Sequence, residues 1–525
     1  MGVQLPPPVV PQQGEITEIQ QAGDAVLTLQ FQQVRIHLHG ATGVPADELE
    51  AAVAGADTLS NAVRAIARAY YVAGYPGATV HYALAGEDLH VKVSLAGVSQ
   101  VVAEAPLAAY FNDLADGQPL TAARLERRRT LASLHADRAG LNAQPLLQPV
   151  EDGLELRLDP DPNSPTAMAV RTELGNPGNR FVGRHFLDLD LRAGFGTGDE
   201  ARASWRKALT GLNDPGDAED YDEQTVGLSR VTPFGLFGLG GRNVDYTQPD
   251  LSVVTETGET LTFAVNGDIQ QAELFGFWPL HTDFVQRSTL SAKVDFTHKQ
   301  LSIGRGGGAL TGAKVQDQEY GSAELAAGYA RAGVFLGRRL DLEAALAVRS
   351  GLGDDRSEDL LTRADLGYLL VRPSLRLRLA LATSISSELL LTGQLSEDRL
   401  PEQNQWVIGG VGNAQAYLPG VAVGDQGALA RLQVDYQLGE FAGVTLRPRV
   451  FAEFAMAEYA EPEATFGEPG ERQELSDAGV ELGLAWGPHL EAAISAAESL
   501  SEKGIPEAAL NAADANYFFR LTARF

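Results

Sequence analysis

The chain has 525 residues, and its 69 acidic against 41 basic side chains give a formal net charge of −28 at pH 7. This length exceeds a single soluble core and predicts several domains. The charge argues against a nucleic-acid-binding protein, because such a protein needs excess basic side chains to neutralise phosphates. The chain has no cysteine, which excludes disulfides, thiol catalysis and cysteine-bound metals and suits an oxidising envelope compartment.

Residues 1–32 form a Pro- and Gln-rich leader, in which GEITEIQQA, from Gly14, has room for a short helix. This composition predicts an extended segment with little packing. The start of the sequence lacks the order of a signal peptide. No apolar run reaches the roughly 18 residues that a membrane-spanning helix needs, so a membrane-spanning role would require β-strands.

Two stretches of mixed pattern follow the leader. Residues 33–98 predict the order β-α-α-β-β, beginning with the alternating strand VRIHLHG from Val34. Residues 99–165 repeat this order with imperfect spacing and end in the linker-like DPDPNSP from Asp159. The sequence therefore predicts two small α+β domains.

Residues 166–525 alternate between apolar and polar with the period of a β-strand. In ALARLQVDYQL, for example, Arg431, Gln433 and Asp435 share one face and apolar residues share the other. Acids and bases together on the polar face of long strands are typical of a barrel with a water-filled lumen and a lipid-facing exterior. A soluble β-sandwich is the alternative. The length favours a transmembrane antiparallel barrel of about 16 strands.

The C-terminal segment NYFFRLTARF strengthens the barrel interpretation. It places Tyr517, Phe519, Leu521 and Phe525 on one face of a strand. A strand at the end of a chain needs partners for its backbone groups, and barrel closure supplies them by pairing the last strand with the first.

Motifs of catalysis and ligand binding are missing from the sequence. It holds no Walker phosphate loop, no HExxH and no GxSxG, so we predict that the protein is not an enzyme and has no cofactor. GRGGGALTG from Gly304 predicts a flexible loop. His37 and His39 share a strand face that would suit a metal, but an exposed face explains them equally, and we expect no metal site. The acidic loops from Asn213 and Gly353 lack calcium-ligand spacing and predict solvated loops.

Two β-α-α-β-β domains before a barrel that ends in Phe resemble the outer-membrane transporters of two-partner secretion, the TpsB family, which are relatives of the BamA-type barrel-assembly proteins. The likeness covers nearly the whole chain. It includes ELGNPGNRFVGRHFLDLDL from Glu173, AGYPGA from Ala73 and LTAARLERRRTLASL from Leu120. The resemblance implies two POTRA domains in the periplasm, followed by a barrel in the bacterial outer membrane.

The resemblance also implies a function. In that family a monomer in outer-membrane lipid binds an unfolded secreted exoprotein through its POTRA domains and passes it through the barrel without nucleotide hydrolysis. Strand addition at an exposed sheet edge is the implied binding mode. An outer-membrane assembly factor of the BamA type is the alternative. The family also has an N-terminal helix that plugs the barrel, but this leader is short for reaching the lumen, and we do not expect a plug.

The stretch IGGVGNAQAYLPGVAVGDQG resembles the loop that folds back into the lumen in that family, and we assign it to about residues 409–428. The positions that match the family pattern are Gly409, Gly410, Tyr417, Gly424, Asp425 and Gly427. Gln415 and Ala416 depart from it, because the family has Arg and Gly there.

The family's loop arginine pairs with an acid of an F-x-D motif on a neighbouring strand, and Phe451 and Glu453 resemble this motif. Gln415 in place of the arginine predicts a weaker latch, because neutral hydrogen bonds contribute less than charge-assisted ones. We expect Arg447 or Arg449 to pair with Glu453, the loop tip to lie inside the lumen, and Gln415 to contribute at most one hydrogen bond.

Overall fold

A computed structural model of the chain describes residues 5–40, 43–160, 167–179, 181–209, 212, 220–254, 260–304, 306, 308–353, 356–359, 364–462, 470–515 and 517–525. Most of the predicted linker, at 161–165, lies outside the described residues. So do parts of the two acidic loops, at 213–219 and 354–355, and two positions of the glycine-rich loop, Arg305 and Gly307.

The first α+β unit is a five-stranded mixed sheet in the order β1-β4-β5-β3-β2. Its elements are β1 (Gln12–Gln13), α1 (Ile16–Gln20), β2 (Leu27–Phe31), β3 (Val34–Gly40), α2 (Ala46–Ala54), α3 (Leu59–Val72), β4 (Ala78–Ala85) and β5 (Asp88–Leu95). Helix α3 begins where the Thr58 side chain accepts a hydrogen bond from the Asn61 N–H, and it buries Ile66 and Tyr70. The order β-α-α-β-β runs from β3 to β5, as predicted.

The leader is packed, so the expectation of little packing was wrong. β1 pairs in parallel with β4, and α1 lies against β4 and β5 with Ile19 buried. Val9 is buried in the core of the second α+β unit, and the Tyr71 hydroxyl donates to the Pro6 carbonyl at 2.7 Å. The physical reason is that a few apolar residues and the edge of β4 offer specific contacts that average composition does not show. Strand β2 also lies within the predicted leader.

The second α+β unit has a three-stranded sheet in the order β6-β8-β7. Its elements are β6 (Val98–Val102), α4 (Ala105–Ala108), α5 (Ala122–Ala139), β7 (Ala143–Val150) and β8 (Gly153–Pro160). Helix α5 begins at Thr121, whose side chain accepts from the Arg124 N–H, and ends at Gly140 with a φ of 64°. This helix lies against the barrel strands described next.

Strands of the remaining chain form a closed antiparallel barrel. They are β9 (Met168–Gly175), β10 (Phe186–Gly194), β11 (Asp199–Ala208), β12 (Asp220–Thr232), β13 (Gly235–Val254), β14 (Thr260–Thr282), β15 (Gln286–Ile303), β16 (Lys314–Phe335), β17 (Arg338–Gly351), β18 (Arg356–Asp359), β19 (Leu369–Ala380), β20 (Ile385–Gln394), β21 (Trp406–Ile408), β22 (Ala422–Gly424), β23 (Gln426–Tyr436), β24 (Glu440–Phe441), β25 (Val444–Glu458), β26 (Gln473–Trp486), β27 (Leu490–Lys503) and β28 (Tyr517–Arg524). Helix α6 (Glu507–Ala513) precedes β28. Apart from the short β18, β21, β22 and β24, these are the 16 strands of the barrel, which confirms the predicted fold.

The last strand closes the barrel. β28 pairs with β27 on one side and with β9 on the other. Phe525 and Val170 exchange both backbone hydrogen bonds, each at 2.9 Å. Tyr517, Leu521 and Phe525 are exposed on the outer face. Pairing of the last strand with the first therefore occurs as the C-terminal pattern predicts.

The two ends of the barrel differ. One end carries tight turns, such as residues 233–234 and 336–337, and we call it the short-turn end. The other carries long connections, including residues 395–425, and we call it the long-loop end. Both α+β units contact the short-turn end: α5 lies against β10, β11, β12 and β14, and Tyr71 stacks on Phe284 with ring centroids 5.0 Å apart. Within the described residues, no helix has the length and apolar character to cross a bilayer.

Candidate functional site

The candidate site is the loop of residues 395–425, which we call the lid loop. It leaves the rim after β20 and returns to β23, and it is braced by its own two-strand sheet, in which Trp406 pairs with Gly424 and Ile408 with Ala422. Gly409 has a φ of 108°, and a Cβ there would lie 2.1 Å from the Leu418 carbonyl oxygen. Only glycine suits this backbone, so the matching glycine fixes the direction in which the loop folds back.

The tip of the lid loop lies inside the lumen. Gln415 is fully buried, and its backbone N–H donates to Glu453 Oε2 of β25 at 3.0 Å. The next N–H, that of Ala416, donates to Asp477 Oδ2 of β26 at 2.7 Å. The Gln415 side-chain amide donates to the Ser495 hydroxyl of β27. The expectation of at most one hydrogen bond from Gln415 was wrong, because its backbone N–H and its side chain reach different strands. The tip is therefore held against three adjacent strands, mainly by backbone donors to carboxylates, which are charge-assisted bonds.

Arg431, on β23, supplies the cation beside Glu453. Its Nη1 lies 3.3 Å from Glu453 Oε1, and its guanidinium sits 4.9 Å from the centre of the Phe451 ring. The expectation of Arg447 or Arg449 was wrong. The physical reason is strand register: Arg431 is directly opposite Glu453, whereas Arg449 is four residues away along β25, or about 13 Å.

Arg449 has other partners. It contacts Asp435 at 2.6 Å and Glu481 at 3.1 Å, both on neighbouring strands. Arg447 makes no ion pair with any described residue. The luminal face of β25 therefore carries two levels of charge, with Glu453 under the lid tip and the two arginines toward the short-turn end.

Tyr417 attaches the lid loop to the end of β27, and its neighbours attach the loop to the segment that precedes β28. Its hydroxyl donates to Glu502 Oε1 at 2.7 Å, and burial together with this hydrogen bond raises the pKa of Tyr417 to about 12. The Leu418 N–H donates to the Ala513 carbonyl at 2.7 Å, and the Ala515 N–H donates to the Ala416 carbonyl at 3.2 Å. The lid loop is thus joined to α6 by backbone hydrogen bonds.

The first limb of the lid loop is fixed to a different wall. Glu402 pairs with Lys299 of β15, which is 2% exposed. Asn404 donates to the Tyr368 hydroxyl at 2.8 Å, and Arg349 Nε donates to the same hydroxyl at 3.1 Å. Five barrel strands separate β15 from β25. The lid loop therefore crosses the lumen from one wall to another.

The last limb ends at Asp425, which is fully buried. Its carboxylate accepts from the Leu400 N–H at 2.9 Å and the Ala460 N–H at 3.1 Å. A Cβ on Gly427 would lie 2.0 Å from Trp406 Cδ1. The Gly-Asp-x-Gly residues thus bind the two ends of the lid loop to each other and to the rim.

Sequence reasoning found one side of the latch and missed the other. Gln415, Phe451 and Glu453 were identified from the family pattern. Asp477 and Ser495 were not, because each is an ordinary polar residue of an alternating strand. Their only sequence signal is a position on the polar face, which many residues share.

The histidine pair of the first unit makes no ligand set. His39 Nε2 lies 3.1 Å from His90 Nδ1, and His39 Nδ1 lies 2.8 Å from the Gly23 carbonyl oxygen. His37 contacts Asp88 at 3.1 Å. Across the described ranges, no group of three or more His, Asp or Glu side chains has the geometry to hold a metal ion.

The second α+β unit is joined to the short-turn end by a buried polar contact. Arg138 lies 3.6 Å from Glu200 of β11, and both side chains are buried. The Tyr110 hydroxyl donates to the Val231 carbonyl at 3.0 Å and lies 3.0 Å from His135 Nδ1. Burial lowers the pKa of His135. This contact fixes the unit beside the opening of the barrel.

No protein-family profile and no curated protein matches the sequence. Among solved structures, CdiB from Escherichia coli has a TM-score of 0.66 and 15% identity, over 95% of this chain and 91% of that one. CdiB from Acinetobacter baumannii has a TM-score of 0.60 and 13% identity, over 95% of this chain and 90% of that one. BamA from Haemophilus ducreyi lacking POTRA domains 1–3 has a TM-score of 0.51 and 12% identity, over 94% of this chain and 100% of that one. The chain shares the fold of these proteins. This confirms the predicted resemblance to TpsB and BamA architectures.

Proposed function

We propose that the protein is an outer-membrane transporter of the two-partner secretion type. It takes an unfolded exoprotein from the periplasm at its α+β units and passes it through the barrel without nucleotide hydrolysis. One observation carries the proposal: a single loop, braced on two walls, crosses the lumen of a 16-stranded barrel. Such a loop obstructs the pore at rest. Because its hydrogen bonds and packing contacts with the wall are separate from the strand ladder, it can leave while the ladder stays intact.

The outer-membrane location is supported by the shared fold with CdiB and BamA and by the exposed apolar outer face. In this arrangement the barrel is a monomer in lipid. The α+β units then lie in the periplasm, since they contact the short-turn end and short turns of such barrels face the periplasm.

Strand β6 is the edge at which the exoprotein adds a strand. The second sheet has two edges, β6 and β7. Strand β7 contains Pro145 and Pro149, and prolines blunt an edge because they lack an N–H donor. Strand β6 has none, and Val102 at its end is exposed. Binding of an extended segment along β6 would use its main-chain groups.

Secretion of a co-expressed candidate exoprotein tests the transporter proposal. We expect release into the medium with the full chain and loss of release when residues 33–160 are deleted. Heat-dependent gel mobility must show that the deleted form still folds as a barrel. Release that persists without both α+β units would overturn the proposal.

An assembly factor of the BamA type is the second candidate, and the seam between β9 and β28 favours it. The ladder of this seam pairs Arg171–Gly175 with Arg520–Arg524, and backbone hydrogen bonds at Val170 and Asn176 extend it by one residue at each end; a short seam suits lateral opening toward lipid. Thr172 and Ala523 are direct neighbours across it, and the chain has no other cysteine to interfere. A disulfide in the Thr172→Cys/Ala523→Cys variant should leave secretion intact under the transporter proposal. It should abolish barrel insertion under the alternative.

A further inference from the structure

Two cavities adjoin at the short-turn end of the lumen. One, of about 660 Å³, lies along the luminal wall from β17 to β28, and the other, of about 490 Å³, lies between that wall and α5. Four residues line both cavities: Arg339, Asp341, Arg378 and Glu388. We call the combined space the vestibule. It lies where a chain passing from the second α+β unit into the barrel would enter.

Each strand-borne carboxylate of the vestibule has an arginine partner. These carboxylates are Asp341, Glu343, Glu388, Asp435, Glu481 and Glu491. Each has an arginine nitrogen between 2.6 and 3.6 Å from a carboxylate oxygen. Four arginines serve the six acids, because Arg376 and Arg449 are each shared by two of them.

The basic side chains of the vestibule are not all neutralised. Arg287, Arg378, Arg447 and Arg520 are exposed in the vestibule. Within the described part of the chain, none of the four makes an ion pair or a side-chain hydrogen bond. Together the two linings hold nine arginines and eight acids, whereas the whole chain has 69 acids and 41 bases. An unpaired guanidinium has five N–H donors and matches a carboxylate with two parallel bonds.

Two of these arginines flank a hollow. Arg447 of β25 and Arg520 of β28 lie in one cross-strand row, with Gly483 and Ala493 between them. Three strand spacings put their Cα atoms about 14 Å apart. The two small residues leave the floor of this row open. Glu491 interacts electrostatically with both arginines, but its carboxylate is bonded to Arg524 at 2.7 Å. Neither Arg447 nor Arg520 therefore has a carboxylate of a described residue within ion-pair distance.

We propose that the vestibule binds acidic segments of polypeptide, with the four unpaired arginines as the carboxylate-binding groups. The inference rests on the transporter function for the identity of the ligand, an unfolded exoprotein with Asp- or Glu-rich stretches. Four separate arginines on different strands give weak contacts at several sites. This suits transport, because a chain must bind well enough to enter and weakly enough to leave.

Binding of a polyglutamate peptide to the detergent-solubilised full-length protein tests the proposal. We expect binding that weakens with added salt. In the Arg378→Gln/Arg447→Gln/Arg520→Gln variant we expect affinity to fall by about tenfold or more, since each lost arginine removes a charge-assisted contact. An uncharged Gly-Ser peptide of the same length should not compete.

The matched control removes the same charge from arginines that already have partners. Arg206, Arg242 and Arg472 lie outside the vestibule and pair with Asp188, Glu223 and Glu458, respectively. The Arg206→Gln/Arg242→Gln/Arg472→Gln variant should bind polyglutamate as the parent does. Equal affinity in both triple variants, or loss in both, would overturn the proposal. The assay needs no exoprotein, so a failure here leaves the transporter proposal standing, and a failed secretion assay leaves this ligand class standing.

Discussion

Arg431 and Glu453 face each other across β23 and β25, with Nη1 3.3 Å from Oε1, and both side chains lie beneath the tip of the lid loop. The cation of the latch therefore belongs to the barrel wall, although the family pattern places it in the loop. Gln415 instead contributes a backbone N–H to the same carboxylate. When the lid loop leaves, Glu453 keeps its partner, so release does not strand this carboxylate without a cation.

Removal of Arg431 should open the lid loop. In the Arg431→Gln variant, Glu453 and Asp477 would be two buried carboxylates without a cation, a situation that costs about 3–5 kcal/mol. Opening of the loop relieves this cost because it lets water reach both acids. We expect faster hydrogen exchange at Gln415 and Ala416 and a higher open probability in bilayer recordings.

The control for Arg431→Gln is Arg449→Gln, which removes the same charge from the same wall. Arg449 pairs with Asp435 and Glu481, away from the lid tip. Its loss should leave exchange at the tip unchanged. If both variants open the lid loop equally, its docking depends on general luminal charge and not on the contact between Arg431 and Glu453.

Moving the cation into the loop should restore the latch. Gly412 and Gln415 already contact the region of Arg431: a Cβ on Gly412 would lie 2.6 Å from Arg431 Nη1. Gln415→Arg alone should therefore weaken docking, because two guanidinium groups would compete for one site. In the double variant Gln415→Arg/Arg431→Gln we expect slow exchange at the tip to return. If hydrogen exchange at the tip is as fast in the double variant as in Arg431→Gln, an arginine in the loop cannot replace Arg431.

Asp477→Asn should tighten the lid loop. Asp477 and Glu453 are directly opposed across β25 and β26, and Asp477 Oδ1 and Glu453 Oε1 accept no hydrogen bond from any described residue outside this pair. An asparagine keeps an acceptor for the Ala416 N–H and adds a donor toward Glu453. Satisfying buried acceptors contributes about 1–3 kcal/mol. Slower exchange at Ala416 is the expected result. Glu481→Gln, on the same strand but outside the latch, should have no such effect.

The architecture could be predicted from the sequence because it depends on local patterns. Alternation in β23 puts Arg431 and Asp435 on the luminal face whatever the neighbouring strands are. The aromatic C-terminal strand likewise needs a partner, and β9 is free to provide it. Such inferences need only the period of a strand and the rule that backbone groups must be paired.

The partner of Glu453 could not be predicted because it depends on register across a long loop. Spacing within β25 brings only Arg447 and Arg449 to the same face. Arg431 comes opposite Glu453 through the length and path of the lid loop, which no local pattern encodes. The packed leader has a similar cause, since Val9 finds its contacts in a core formed by residues about a hundred positions later.

Gly424 should not tolerate a side chain. A Cβ there would lie 2.5 Å from both the backbone nitrogen and the carbonyl oxygen of Glu458, and backbone atoms cannot move aside as a flexible side chain can. We expect Gly424→Ala to lower the free energy of unfolding by about 1–3 kcal/mol through overpacking. It should also reduce the fraction of the protein that migrates as a folded barrel on a gel before heating. Gly439→Ala is the control, since nothing lies within 4 Å of the Cβ it would add. A fully folded Gly424→Ala protein would show that the rim is not rigid.

The contact between the second α+β unit and the barrel should weaken in acid. Burial lowers the pKa of His135 below its ordinary value of 6.5, so the unfolded or undocked state binds a proton more readily than the docked state. The docked state is therefore fully favoured above about pH 6.5 and loses stability as the pH falls below that value. Hydrogen exchange in α5 should accelerate over this range. In His135→Gln, which cannot titrate, exchange should be independent of pH after correction for the intrinsic rate. If hydrogen exchange in α5 depends on pH as steeply in His135→Gln as in the parent, a group other than His135 causes the pH dependence.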